Sequence, residues 1–249
     1  MKYNDNFAKK FMNSFMGKKE EQEKEKEKLN IPHIRELLEK LVSVSDDIWG
    51  LYAFRRDPLN GKFSTDEKLE YIEQANLCGK EYGKKTREQN KELNIYEIAE
   101  KLGIEVDYPQ RPNGGGHIIF AQFVEPNKVT IFKDSVDKAI DMIDKEELNE
   151  LFLNVNIEEI LLAHEIFHYI EEQNENNIYT RREKIRLWKF GPLKNDSNLV
   201  ALGEIAGMAF AKELLQLEYS PYILDIFLVY LYHPKVAYEL YKEVMNIKK

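Results

Sequence analysis

Residues 156–173, NIEEILLAHEIFHYIEEQ, decide how the rest of this chain is read. Asn156 offers a capping side chain, and Ile157, Ile160, Leu161, Ala163, Phe167 and Ile170 follow without Gly or Pro, so the pattern predicts a helix over about 157–172. Inside it stands His164-Glu165-Ile166-Phe167-His168, an H-E-x-x-H sequence that chance would supply about 0.01 times in a chain with five histidines. On a helix, positions i and i+4 share a face ~6 Å apart along the axis, so both imidazoles can meet one ion at about 2.0 to 2.1 Å. His164 and His168 are therefore the candidate metal ligands. Glu165 is placed beside them as general base toward a metal-activated water. Ile157 and Leu161 lie on the same side as the two histidines, so that side is expected to face inward.

A catalytic zinc takes three protein ligands and leaves a fourth position open, and the third is expected to be Glu204. In LVALGEIAGMAFA, residues 199–211, it is the only ionisable residue, and a lone carboxylate on so apolar a helix is costly unless a cation compensates it. Gly203, Ala206 and Gly207 lack bulk and would let this helix approach another closely. Glu171, Glu172 and Glu213 stand in more polar stretches and read as solvated. His233, before Pro234, is a spare ligand candidate. Tyr169, Tyr179, Arg181 and Arg182 are candidates for polarising a carbonyl, among which spacing does not choose. One Zn2+ per chain is the expected ion.

The chain has 249 residues, 43% of them hydrophobic, enough for a sizeable core. Its 36 basic and 44 acidic residues leave a net charge of -8, which argues against direct nucleic-acid binding. The single cysteine, Cys78, excludes an internal disulfide, suggests a reducing compartment and reads as core filling. No segment approaches the ~18 consecutive apolar residues of a membrane span, and no signal-peptide pattern opens the chain, so no membrane association and a cytoplasmic location are expected.

Three parts are expected along the chain. Residues 1–30 hold an amphipathic stripe, Phe7, Phe11 and Phe15, and a charged tether, Lys18 to Lys28. Residues 31–92 form a helical extension, with Ile34, Leu37, Leu38 and Leu41 on one face and a capping box at Ser64 to Glu67. Residues 93–249 form the domain that carries the motif. There a helix over 95–102 stops at Gly103, strands follow at 104–106, 117–124 and 128–133, and Gly114-Gly115-Gly116 marks a loop. After Asp134 the pattern is helical again. The expected fold class is α+β, mostly helical, with a small sheet of about three strands and an N-terminal helical extension.

From about Leu93 to Leu217 the chain resembles the ImmA/IrrE family of metallopeptidases. The resemblance is carried by Gly103-Ile104-Glu105-Val106, by Ala163-His164-Glu165-Ile166-Phe167-His168-Tyr169, and by Glu204 through Phe210-Ala211-Lys212-Glu213-Leu214-Leu215. It implies a zincin-like core with His164, His168 and Glu204 as ligands, and an endopeptidase that cleaves a protein substrate, a helix-turn-helix repressor of a mobile element or stress response. The chain departs from the family pattern at Phe167, where Gly is usual, at Gly207, where Ala is usual, and at Met208, where Asn or Asp is common. Met208 and the long N-terminal addition support the alternative, a peptidase-like antirepressor or toxin–antitoxin binding module with little or no proteolytic activity.

Overall fold

The computed structural model describes residues 31–110, 120–152, 156–191 and 193–248. The N-terminal stripe, the charged tether, the triple glycine and the start of the second expected strand lie outside the described residues. Helices α1 (Ile34–Leu41), α2 (Asp46–Phe54), α3 (Thr65–Gln89) and α4 (Ile95–Lys101) come first, followed by strands β1 (Glu105–Asp107), β2 (Ala121–Val124) and β3 (Lys128–Ile131). After them come α5 (Lys133–Lys145), α6 (Ile157–Gln173), α7 (Tyr179–Arg182), β4 (Lys184–Phe190), β5 (Leu193–Asn198), α8 (Val200–Leu214), α9 (Ile223–Tyr230) and α10 (Pro234–Ile247). The fold class is α+β and mostly helical, as expected from the sequence.

Local chemistry accounts for the element boundaries. All four apolar residues of α1 that the sequence put on one face, Ile34, Leu37, Leu38 and Leu41, are buried. Ser64 and Glu67 form the capping box that opens α3, and Asn94 and Glu97 form a second one at α4. Helix α4 ends before Gly103, whose φ of 73° is open to glycine at little cost. The chain then enters a three-stranded sheet of order β1-β3-β2, parallel between β1 and β3 and antiparallel between β2 and β3. Phe123, Val129 and Ile131 of this sheet are buried, and β2 and β3 pack on α6.

Helix α8 lies between α3 and α6. Its contact with α3 is nearly backbone to backbone, because a Cβ at Gly79 would overlap the Ala206 carbonyl oxygen and one at Gly83 would stand only 2.9 Å from that of Phe210. The molecule thus layers α3, α8, α6 and the sheet. Residues 31–92 are part of this packing: Ile72, Ala75 and Cys78 belong to the same core as Ile166, Ile205 and Phe210. No break in the core falls at residues 92 and 93.

The segment without any catalytic motif also orients α8. Leu199, at the N-cap of α8, has no side chain to satisfy the first backbone N–H groups. Asp57, buried after α2, does so instead: one carboxylate oxygen accepts from the Ala201 N–H at 3.0 Å and the other from the Leu59 N–H at 2.7 Å. A cap of this kind contributes about 1 kcal/mol and favours negative charge at the helix start.

One stretch differs from expectation. Between α7 and α8 the chain forms a hairpin, β4 with β5, turning at Gly191 with φ of 57°, where helix was expected throughout. The alternation Lys184-Ile185-Arg186-Leu187 has the two-residue period of a half-buried strand, and Ile185 and Leu187 are its partly buried positions. Trp188, Phe190 and Leu193 near the tip are exposed. Among the described residues no helix is long and apolar enough to cross a membrane.

Candidate metal centre

Helix α6 begins where Asn156 accepts a hydrogen bond from the Glu158 N–H at 3.0 Å, and it runs unbroken through the motif. His164 and His168, one turn apart, face α8, which presents Glu204. Two glycines make this approach possible. A Cβ at Gly207 would lie 2.9 Å from both Cε1 and Nδ1 of His164, and one at Gly203 would lie 3.0 Å from a carboxylate oxygen of Glu171. The small residues flanking Glu204 therefore hold the space that two other polar side chains occupy.

The two histidine Nε2 atoms are 3.0 Å apart. Glu204 offers one oxygen 3.4 Å from His164 Nε2 and the other 3.8 Å from His168 Nε2. Ligands at about 2.0 to 2.1 Å in a tetrahedron stand roughly 3.3 Å from one another, so these separations fit one small ion. One ligand atom from each of the three residues lies within 4.8 Å of the others, and the group can hold a metal ion. Side-chain exposure is 6% at His168, 12% at His164 and 19% at Glu204, so all three groups are largely buried.

Charge points the same way. Glu165, Glu171 and Glu204 surround the histidines, while Arg181, 3.1 Å from Glu171, is the cation paired with this cluster. Neutral histidines would leave this cluster with an excess of negative charge, which a bound cation offsets. Without such an ion a proton takes that part. Burial works against a charged His168, yet Glu171, Glu204 and Glu165 together push its pKa up to about 9. Burial also works against charge on Glu204, but His164 and His168 hold its pKa below the usual carboxylate value. Glu165 goes the other way: burial raises it, the two imidazoles oppose, Glu204 adds to the rise, and the Phe123 backbone N–H of β2 donates to it.

Several expected roles change in the folded molecule. Glu171, read as solvated, is buried, with an oxygen 3.6 Å from His168 Nδ1, because α7 folds back and supplies Arg181 as a partner. Arg181 is thereby occupied with Glu171 and, at 3.4 Å, Glu172, rather than presented to a substrate. The Tyr169 hydroxyl donates to the Leu102 carbonyl at 2.9 Å and is likewise engaged. Glu213 is paired with Arg87 at 2.8 Å, away from the metal group. His233 starts α10 and is not among the grouped ligands. Cys78 is buried, with its thiol pushed up to about 11 by burial, which suits core filling.

An aromatic wall whose Tyr222 lies close enough to sense the Glu204 charge comes from elements that carry no motif. Trp49 and Tyr52 of α2 meet Tyr222 there, with Trp49 and Tyr222 stacked at 5.8 Å between ring centres. Asp225 sits by this wall with its pKa pushed up to about 6, by burial first, against the Arg56 charge and with help from Glu204. These residues come from segments about 170 positions apart, so no local pattern announces them. Phe167 and Gly207 are neighbours: a Cβ at 207 would touch the Phe167 ring at 3.4 Å, so the bulk at one is matched by its absence at the other. Compared with known proteins, the chain matches no family model, no curated protein and no solved structure.

Proposed function

We propose that the chain is a zinc-dependent endopeptidase with a zincin-like centre, in which His164, His168 and Glu204 hold the ion and Glu165 is the general base. The observation that carries this reading is the convergence of those three ligands from two helices, with a buried carboxylate of raised pKa one residue from the first histidine. Two imidazoles and a carboxylate suit zinc, and three protein ligands leave a position open, whereas structural zinc sites are closed by four. A bound zinc ion supplies Lewis acidity that polarises the scissile carbonyl and makes a water acidic near neutral pH. Glu165 takes the proton of the attacking water and passes it to the amine nitrogen as the C–N bond breaks.

The substrate is a protein, and the motif resemblance favours a helix-turn-helix repressor. The test is incubation of the wild type and of Glu165→Gln with a repressor encoded beside its gene. Glu165→Gln is expected to keep its metal and lose cleavage, since an amide cannot accept the proton. Retained turnover would remove Glu165 from the base role. Equal relief of repression by both proteins in cells would favour a binding module.

A further inference from the structure

The buried carboxylate of Glu171 has no part in the chemistry above, and its surroundings are specific. It lies three residues after His168 on α6, which puts it on the same face, one turn further on. One of its oxygens is 3.6 Å from His168 Nδ1, slightly longer than a hydrogen bond, and that nitrogen has no hydrogen-bond partner among the described residues. Arg181 of α7 holds the carboxylate from the other side at 3.1 Å. Gly203 leaves the space it fills, since a Cβ there would stand 3.0 Å from a Glu171 oxygen. A buried carboxylate without partners would be costly, and three separate elements here provide for one.

We propose that Glu171 is the positioning residue for the second metal ligand: it accepts the Nδ1 proton of His168 and so keeps the Nε2 lone pair aimed at the ion. An imidazole carries its proton on one nitrogen or the other when neutral, and only the bare nitrogen ligates. With Nδ1–H directed at a carboxylate, Nε2 is the bare one, and the ring is held against rotation about its Cβ–Cγ bond. A contraction of a few tenths of an ångström closes the contact. His164 has no counterpart. Its Nδ1 is buried beside Gly207 with no hydrogen-bond partner among the described residues, while its Nε2 faces His168 and Glu204, so the two ligands are oriented by different means. Arg181 fixes Glu171 in turn and ties the metal group to α7, at the foot of the β4–β5 hairpin.

This inference rests on the metal-binding reading, and zinc affinity, measured by competition with a chromogenic chelator, tests it without any substrate. Glu171→Gln keeps the size of the side chain and removes its charge. It is expected to weaken zinc binding 10- to 100-fold, the usual range for losing the partner of a ligating histidine. Glu172→Gln is the control, because it removes Arg181's other partner, 3.4 Å away, and does not touch His168. It is expected to bind zinc within about twofold of wild type. The absorption bands of the cobalt(II)-loaded proteins add a signature that a merely structural role would not move. They should shift for Glu171→Gln and stay in place for Glu172→Gln. If Glu171→Gln does not fold, Glu171→Asp keeps the charge facing Arg181 and, one methylene shorter, should still weaken binding. Wild-type affinity and an unchanged cobalt spectrum in folded Glu171→Gln or Glu171→Asp would overturn this proposal alone. A wild-type chain that takes up no zinc would overturn the metal reading and this proposal with it.

Discussion

Gly207→Ala adds one methyl group and should expose how tightly His164 is held. Its Cβ would sit 2.9 Å from His164 Cε1 and Nδ1 and 3.4 Å from the Phe167 ring. The first two separations are short of an ordinary carbon contact by about 0.6 Å or more. Forcing a methyl into such a site costs about 1–3 kcal/mol, while Ala in place of Gly inside a helix returns about 1 kcal/mol. The balance depends on whether His164 can turn away. In the chelated protein it can, so the variant should lie within about 1 kcal/mol of wild type, or within roughly 4 °C in melting temperature for a chain this long. With zinc bound the ring is held, the contact remains, and the whole 1–3 kcal/mol falls on binding, which is about 5- to 150-fold in Kd. Melting with and without chelator, together with zinc competition, measures both parts. Zinc affinity equal to wild type would refute the reasoning, because it would mean that His164 is not the ligand whose ring fills the space at 207.

Glu204→Ala should reduce the gain in melting temperature that zinc confers, since two histidines alone hold zinc poorly; Glu213→Ala, which loses only its pair with Arg87, should leave that gain intact. A chelator-induced drop as large as wild type in Glu204→Ala would show that the ion is held without it. Asp225→Asn should change the pH dependence of the metal-free protein. The Asp225 carboxyl keeps its proton up to about 6 in the fold, against about 3.9 unfolded, so the folded state binds the extra proton and stability falls as pH rises through that window. The variant lacks this loss, and its advantage in urea unfolding with chelator present should grow from near zero at about pH 4 to about 2–3 kcal/mol at about pH 7. A constant difference across the range would remove Asp225 as the cause.

The helical face of the motif was legible because it is a local property. Consecutive residues determine the 3.6-residue period, and i, i+4 spacing places His164 and His168 together whatever surrounds them. The capping box at Ser64 and the stop at Gly103 are equally local. Glu204 stands out for a different reason, the solvation cost of one carboxylate on an apolar helix, which needs only the sequence of that helix. The hairpin at 184–198 is also local, in the alternation of Ile185 and Leu187 with charged neighbours, but that alternation covers only four residues beside much longer helical patterns.

Other features depend on partners that the chain brings in from far away. Glu171 looks solvated beside Glu172 and Gln173, and becomes a buried neighbour of His168 only because Arg181 and Gly203 meet it. Asp57 caps a helix 144 residues further on, so residues 31–92 help to orient Glu204 although no motif in them says so. Local pattern is enough to put both histidines on one face of one helix and to mark Glu204 as a lone carboxylate on an apolar one. That these groups meet at ligand spacing, and which neighbours hold them there, comes from packing between distant segments, because the cost of burying a polar side chain is set by the partners those segments supply.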